Sequence, residues 1–231
     1  MALNTSMAIN SDAQDFASVV IRFDKGLDLQ DDRSHISLMS MRESKKDHIL
    51  TSGLTVMQSR GYNGTSVKDI VDAARVPKGS FYNYFESKEA FAVDALEKIA
   101  SETFASSQLI LGDTDKSPQQ RLQQFFEAGA NYAGDCEYKG GCFFGNMCQE
   151  MSDSNEAIRT KVQQVLKRKT ALLAQVIDEA KTLNEINSDT PSHTIAEFIF
   201  NAWEGALMRM KASKSREPLD AFLTILPSIL R

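Results

Sequence analysis

The chain has 231 residues, of which 42% are apolar and 25% are charged, and its formal net charge at pH 7 is −5. This length fits one large domain or two small ones, and the apolar content suffices for a core, so disorder throughout is excluded. No run approaches the roughly 18 apolar residues that a spanning helix needs, so we expect no membrane partner. The acidic balance argues against nucleic-acid binding over the whole surface, but it leaves room for a small local site.

The cysteine content indicates a reducing compartment. Cys136, Cys142 and Cys148 are an odd number in a chain too long to depend on disulfides. The first ten residues lack the charged and apolar regions of a secretory signal, so we expect a cytoplasmic protein.

The first 40 residues differ in composition from the rest. They contain six Asp against three basic side chains and show no sustained helical period, so we predict an acidic, disordered extension over residues 1–40. Met41 stands directly before a predicted helix, which makes it an alternative candidate for the initiator.

Short helices separated by turn residues are predicted from Glu43 to Lys98. Apolar residues 49–57 lie on one face of a first helix. Thr65 or Ser66 is the candidate N-cap of a second helix, and Pro77 suits the first position of a third. Ser87 opens a fourth, longer helix.

Longer helices follow in the second half of the chain. Apolar residues recur at steps of three and four over 122–130, 158–177, 195–210 and 219–230, with polar or glycine-containing loops between these segments. No segment alternates with period two for long enough to predict a strand. The sequence therefore predicts an all-α fold.

Residues 66–85 have the length and spacing of a helix-turn-helix, in which the second helix enters the DNA major groove. The two short helices are joined by Ala74-Arg75-Val76. The alternative is a helical hairpin whose aromatic residues are core; these are Phe81, Tyr82, Tyr84 and Phe85.

The residue types in this segment suit DNA contacts. The small or polar side chains of Lys78, Gly79 and Ser80 permit close approach to a phosphate. Hydroxyl and amide groups for phosphates and base edges are offered by Tyr82, Asn83 and Tyr84. Lys88 adds a cation at the start of a helix whose N-terminal amides favour a phosphate. Residues 41–100 contain nine basic and eight acidic side chains, so the local charge is only +1.

Residues 43–98 resemble the DNA-binding domain of the TetR family of bacterial transcriptional regulators. The resemblance is carried by Gly61-Tyr62, Thr65-Ser66-Val67, Asp69-Ile70, Ala73-Ala74, the run Val76-Pro77-Lys78-Gly79-Ser80-Phe81-Tyr82-Asn83-Tyr84-Phe85, and Ser87-Lys88-Glu89. It implies an N-terminal three-helix headpiece over residues 42–102 and a larger helical domain over 103–231 that binds an effector and dimerises. It further implies a homodimer bound to a palindromic operator in double-stranded DNA.

The same resemblance assigns roles to individual residues. Phosphate contacts are implied for Thr65 or Ser66, Lys78, Ser80, Tyr82, Tyr84 and Lys88, and a place on the base-reading helix is implied for Gly79, Phe81 and Asn83. Two residues depart from the family pattern. Arg75 replaces the usual turn glycine, which predicts φ > 0 with a strain of about 1 kcal/mol, or a shifted turn. Gly53 lies inside the first helix at a cost of about 1 kcal/mol, which close helix packing would explain.

A second resemblance concerns the candidate effector site. Residues 140–150 resemble a Gly-Cys-x-x-Gly-Asn segment in one branch of the family, some members of which sense electrophiles or small acids, certain of them through a cysteine. A helix dipole at Cys142 would lower its thiol pKa, although a packed structural cysteine is the alternative. Cys142 and Cys148 have no histidine nearby, so we predict neither a metal site nor a cofactor.

The apolar faces of the C-terminal helices fit either a ligand pocket or a core and dimer seam. Candidate pocket residues are Tyr132, Phe143, Asn146, Gln149 and Trp203. The chain contains three histidines and no nucleophile, zinc or phosphate-loop motif, so an enzyme is not expected. The sequence predicts a ligand-responsive DNA-binding repressor of unknown effector; the alternative is a helical interaction protein whose headpiece no longer binds DNA.

Overall fold

The computed structural model describes residues 34–231, and for residues 34–43 it describes only the helical backbone. Within this range the chain forms helices and no strand, which confirms the all-α prediction. The helices are α1 (Ser34–Arg60), α2 (Val67–Ala73), α3 (Lys78–Tyr82), α4 (Lys88–Leu111), α5 (Pro118–Asp135), α6 (Phe143–Met151), α7 (Glu156–Thr182), α8 (Ser192–Ser213) and α9 (Glu217–Ile229).

The N-terminal boundary differs from the prediction. Residues 1–33 of the predicted extension lie outside the described residues. Residues 34–40 belong to α1, so the helix begins inside the segment that was predicted as an extension. No glycine or proline occurs between residues 34 and 52, so nothing in the sequence interrupts the helix before Gly53.

The described chain divides into two compact units. The first consists of residues 34–103 and 140–172, and the second of residues 104–139 and 173–231. The predicted headpiece (residues 42–102) lies within the first unit, but α6 and the first part of α7 belong to that unit as well. The units therefore do not follow the linear division at residue 102, while the assignment of functions to the two parts stays a prediction.

An aromatic cluster forms the centre of the first unit. The ring centroid of Phe81 lies 5.2 Å from that of Phe85 and 5.8 Å from that of Phe91. α1 packs closely at this point, because a Cβ on Gly53 would lie 2.6 Å from both Ile70 Cγ2 and Phe91 Cζ. The close helix packing that was expected to explain Gly53 is confirmed, because a larger side chain would overlap Ile70 and Phe91.

The second unit has its own core and a buried arginine. Trp203, Phe126 and Phe222 form a three-ring cluster with centroids 4.9 to 5.3 Å apart. Arg121 is 3% exposed, and its guanidinium donates to the Leu111 carbonyl at 2.9 Å and pairs with the exposed Glu179 at 2.5 Å. Arg121 thus joins the end of α4 to α5 and α7. None of the helices within residues 34–231 is long and apolar enough to cross a membrane.

Candidate DNA-binding site

α2 begins with a capping box. The Ser66 hydroxyl accepts from the Asp69 N–H at 3.1 Å, and the Asp69 carboxylate accepts from the Ser66 N–H at 2.8 Å. The hydrogen bond from the Ser66 hydroxyl, then that from its N–H, holds the pKa of Asp69 below its usual range. Of the two N-cap candidates, Ser66 takes the role and is exposed. Thr65 is buried, and its hydroxyl donates to the Gly61 carbonyl at 2.7 Å, so its side chain is not available to a phosphate.

The turn between α2 and α3 depends on a left-handed residue. Arg75 has φ +54°, as its replacement of a glycine predicted. The N–H of Val76 donates to the Val71 carbonyl at 3.0 Å, and the N–H of Arg75 donates to the Asp72 carbonyl at 3.1 Å. This pair of bonds is a Schellman motif, in which the left-handed residue normally is glycine. Arg75 therefore completes the turn with strain on the order of 1 kcal/mol.

α3 presents a polar face to solvent. The exposed residues are Lys78, Gly79, Tyr82 and Asn83, and 52% of the Tyr82 surface is accessible to solvent. A Cβ on Gly79 would meet no atom within 4 Å, so the fold does not require a glycine at this position. The open space suits a partner that approaches the backbone of α3 closely. Ser80 and Tyr84 are half-buried.

Phe81 requires a correction. The resemblance placed it on the base-reading helix; it does lie on α3, but it is fully buried and stacks in the aromatic core. A helix of five residues needs an apolar anchor, and Phe81 is that anchor. Its side chain therefore cannot contact a base in this structure.

Lys88 supports the turn that precedes α2. Its ammonium group donates to the carbonyl oxygens of Tyr62 at 3.1 Å and Thr65 at 3.0 Å, and it lies 4.0 Å from the centre of the Tyr62 ring. The Tyr62 hydroxyl in turn donates to Glu89 at 2.9 Å. Burial and the Glu89 carboxylate raise the pKa of Tyr62 above its usual range. Two of the three ammonium hydrogens of Lys88 are thus used within the protein.

A groove beside α3 contains basic residues that the sequence analysis did not select. It has a volume of about 840 Å³. Its polar lining residues are Lys45, His48, Arg75, Ser80, Asn83 and Tyr84. The His48 Nε2 atom lies 2.9 Å from the Ala74 carbonyl oxygen, which accepts a hydrogen bond from the tautomer protonated at Nε2. The spacing of Lys45 and His48 on one face of α1 was the available signal in the sequence.

The effector candidates fall in both units. Cys142 is the N-cap of α6, and its sulfur accepts from the Gly145 N–H at 3.4 Å. The Asn146 amide donates to the Gly140 carbonyl at 2.8 Å, whereas Phe143 is buried and Gln149 is exposed. These four residues belong to the first unit.

The remaining two effector candidates, Tyr132 and Trp203, belong to the second unit. Burial, with a smaller effect of Cys136, raises the pKa of Tyr132 to about 12. Trp203 is part of the three-ring core and is 7% exposed. Among residues 34–231, no three His, Cys, Asp or Glu side chains are grouped so that they could hold a metal ion.

Two short helices joined at Arg75, with an exposed second helix and basic residues at its side, define a helix-turn-helix DNA-binding unit. The family model described as "Bacterial regulatory proteins, tetR family" matches residues 49–95. The model described as "Tetracyclin repressor-like, C-terminal domain" matches residues 118–226. The chain belongs to the TetR family of transcriptional regulators.

Similar proteins cover most of the chain. The HTH-type transcriptional repressor DhaR of Mycobacterium sp. (strain GP1) is 36% identical over 80% of this chain and 91% of its own length. The transcriptional regulator AcuR of Cereibacter sphaeroides is 32% identical over 75% of this chain and 80% of its own length. The crystal structure of a TetR regulatory protein from Rhodobacter sphaeroides superposes with a TM-score of 0.76 at 29% identity, covering 80% of this chain and 98% of that one.

Proposed function

We propose that this protein is a repressor that binds a palindromic operator in double-stranded DNA as a homodimer and leaves it when a small molecule binds. The observation that carries the proposal is the exposed face of α3, where Lys78 and Tyr82 are exposed and the space beside Gly79 is open. The name of the relative DhaR as a repressor supports the direction of regulation. A regulator of this kind acts in the cytoplasm, where the DNA is.

The basic groove extends the proposed DNA interface. Lys45 and Arg75 add cations beside α3, so binding should depend strongly on salt through release of counterions from the phosphates. Ser80, Asn83 and Tyr84 line the same groove, which supports their assignment to the same interface. Phosphate contacts would fix the position of the headpiece, and Asn83 would read base edges.

The proposal of a homodimer is supported by apolar side chains that are exposed on α8 and α9. Phe198 and Met208 on α8 are 60% and 64% exposed, and Ile225 on α9 is 57% exposed. Gly205 lies on α8 between the first two, and a Cβ there would meet nothing within 4 Å. A second copy of the chain would bury these side chains, and Gly205 would let a partner helix approach closely.

The effector would release the protein from its operator by a population shift. The effector would bind the conformation in which the spacing of the two headpieces does not match the two half-sites. Because this coupling is reciprocal, operator DNA should weaken effector binding by the same factor.

Reaction of an electrophile with Cys142 is the second candidate mode of release. Its position at the N-terminus of α6 supports this mode, because a helix dipole favours the thiolate. Cys142→Ser should abolish a response to a thiol reagent and leave operator affinity intact. An unchanged response in that variant would remove Cys142 from the mechanism.

The experiment that tests DNA binding is fluorescence anisotropy of the purified protein on labelled DNA from immediately upstream of its own coding region. The titration is repeated over a salt series and against scrambled competitor. We expect saturable binding that survives the competitor and weakens steeply with salt. A flat salt dependence without specific binding would favour the alternative, a helical interaction protein that does not read DNA.

A further inference from the structure

The loop between α1 and α2 is held by a residue that lies far along the sequence. The loop consists of residues 61–64, and we call it the α1–α2 loop. Its Asn63 N–H donates to Glu150 Oε2 at 2.9 Å across 87 positions of sequence. Gly61 faces the same carboxylate: a Cβ there would overlap Glu150, and its φ of +75° already favours glycine. The loop is therefore shaped to receive the Glu150 side chain.

The α1–α2 loop leads directly into the proposed DNA interface. Thr65 follows it, and Ser66 is the N-cap of α2. Lys88 and Glu89 hold the loop from α4 through the carbonyl and hydroxyl groups of Tyr62. Glu150 holds it from α6. The position of the first turn of α2 thus depends on two separate helices.

α6 is itself fixed to the first unit along one face. Phe144, Met147 and Met151 are buried in the same apolar cluster as Met57 and Tyr62. The ammonium group of Lys169 on α7 lies 5.1 Å from the centre of the Phe144 ring. A displacement of α6 would therefore move the Glu150 carboxylate together with the buried face of this helix.

We propose that Glu150 is a positioning residue for DNA binding: its carboxylate fixes the α1–α2 loop, and through it the start of α2. The proposal rests on the proposed function, because it assigns Glu150 a part in that same DNA binding. Glu150 acts through Asn63 and not by contact with DNA.

The charge of Glu150 and its proposed positioning role predict opposite changes in DNA affinity when the carboxylate is removed, so the proposal is testable. Glu150 places a negative charge in the unit that approaches the phosphates. Its removal should strengthen DNA binding if only long-range electrostatics matter. If the carboxylate positions the loop, its removal should weaken binding instead. Glutamine separates the two effects, because it lacks the charge but keeps an oxygen that accepts from the Asn63 N–H.

The experiment compares Glu150→Ala and Glu150→Gln in the full chain. Glu156→Ala is the matched control: it removes one negative charge from the same unit, at an exposed residue that pairs with Arg159 on its own helix. Operator affinity is measured by anisotropy over a salt series. Hydrogen exchange is measured for the peptide that contains residues 61–66.

We expect Glu150→Ala to raise the operator Kd about 5- to 50-fold, consistent with the loss of a hydrogen bond to a charged acceptor. The salt slope should stay unchanged, since no phosphate contact is removed. Glu150→Gln and Glu156→Ala should bind as tightly as the wild type or more tightly. Exchange of the Asn63 amide should be about tenfold faster in the alanine variant and close to wild type in the glutamine variant.

Equal affinity of the alanine and glutamine variants would overturn the proposal. If the wild-type chain binds no DNA, the proposed function fails, and exchange at Asn63 still decides the role of Glu150: unchanged exchange in Glu150→Ala would refute the contact. Should the alanine variant not fold, Glu150→Asp replaces it, because it keeps the charge and withdraws the acceptor by one methylene. Wild-type affinity and exchange in Glu150→Asp would likewise refute the role.

Discussion

The Lys88 ammonium lies over the Tyr62 ring, 4.0 Å from its centre, and donates to two carbonyl groups of the turn that precedes α2. The resemblance to the TetR family implied a phosphate contact for this lysine. In the structure the same side chain also supports the turn, so its loss affects the stability of the headpiece as well as DNA binding.

Lys88→Met, which keeps most of the apolar stem, should lower the free energy of unfolding by about 1–3 kcal/mol, because two charge-assisted hydrogen bonds and a cation–π contact are lost. Urea denaturation followed by circular dichroism measures the change. Lys78→Met is the control: Lys78 is exposed on α3, so we expect unaltered stability and a salt slope of DNA binding reduced by about 1. Equal unfolding midpoints for both variants would contradict the structural role of Lys88.

Tyr82 and Asn83 are neighbours with different predicted roles. Tyr82→Ala should weaken binding to all DNA sequences by a similar factor, because it would remove the phosphate contact predicted for this exposed residue. Asn83→Ala should mainly change the preference among operator sequences. Anisotropy on a panel of operators with single base-pair changes measures both effects. The same loss profile for both variants would refute the assignment.

Gly79→Ala should change stability and DNA affinity in opposite directions. Alanine has the higher helix propensity and the added Cβ meets no atom of the chain, so stability should rise by up to about 1 kcal/mol. The methyl group would occupy the space between α3 and the DNA, so operator affinity should fall. Thermal unfolding and anisotropy on the same preparation measure the two changes. Undiminished affinity would show that DNA does not approach α3 at this residue.

Arg75→Gly should also change stability and DNA affinity in opposite directions. Glycine adopts the φ of +54° without strain, so the free energy of unfolding should rise by about 1 kcal/mol. The loss of an exposed cation beside α3 should lower DNA affinity and reduce the salt slope by about 1. Arg75→Lys keeps the cation, and we expect it to keep the wild-type slope. A wild-type slope in the glycine variant would place Arg75 outside the interface.

Asp69 makes the stability of the headpiece depend on acidic pH. Its pKa is below the usual value when the chain is folded, chiefly through the hydrogen bonds from Ser66. A depressed pKa stabilises the fold above the unfolded pKa of about 4, and this contribution is lost as the pH falls through the folded pKa. Asp69→Asn should therefore be less stable than the wild type at pH 7, and the difference should narrow towards pH 3. Denaturation at pH 7, 5 and 3 measures the difference; a constant difference would exclude this role for the Asp69 carboxylate.

Most helices could be predicted from the sequence, because apolar periodicity and N-caps are local signals. The left-handed turn at Arg75 was implied by the resemblance, since a glycine is usual at this position in the family. The direction of each side chain was harder to predict. Phe81 and Tyr82 are adjacent aromatics on one short helix, yet the first is fully buried and the second is half exposed. Only packing against Phe85 and Phe91 decides between them.

The contacts of Glu150 could not be predicted at all from local patterns. Its partner Asn63 lies 87 positions away, and no motif marks either residue as half of a pair. Likewise, residues 140–172 gave no signal that they pack with the headpiece, because helical periodicity shows which face is buried but not against which neighbour.

The order of synthesis delays completion of the first unit. A ribosome that adds about 5–20 residues per second needs about 4–17 s to pass from Asn63 to Glu150. During this interval α1 to α4 can leave the exit tunnel, while Phe144, Met147 and Met151, which share their apolar cluster, have not been made. We therefore expect the nascent headpiece to expose part of its core for seconds. The first unit is complete only after residue 172, when about three quarters of these 231 residues have been translated.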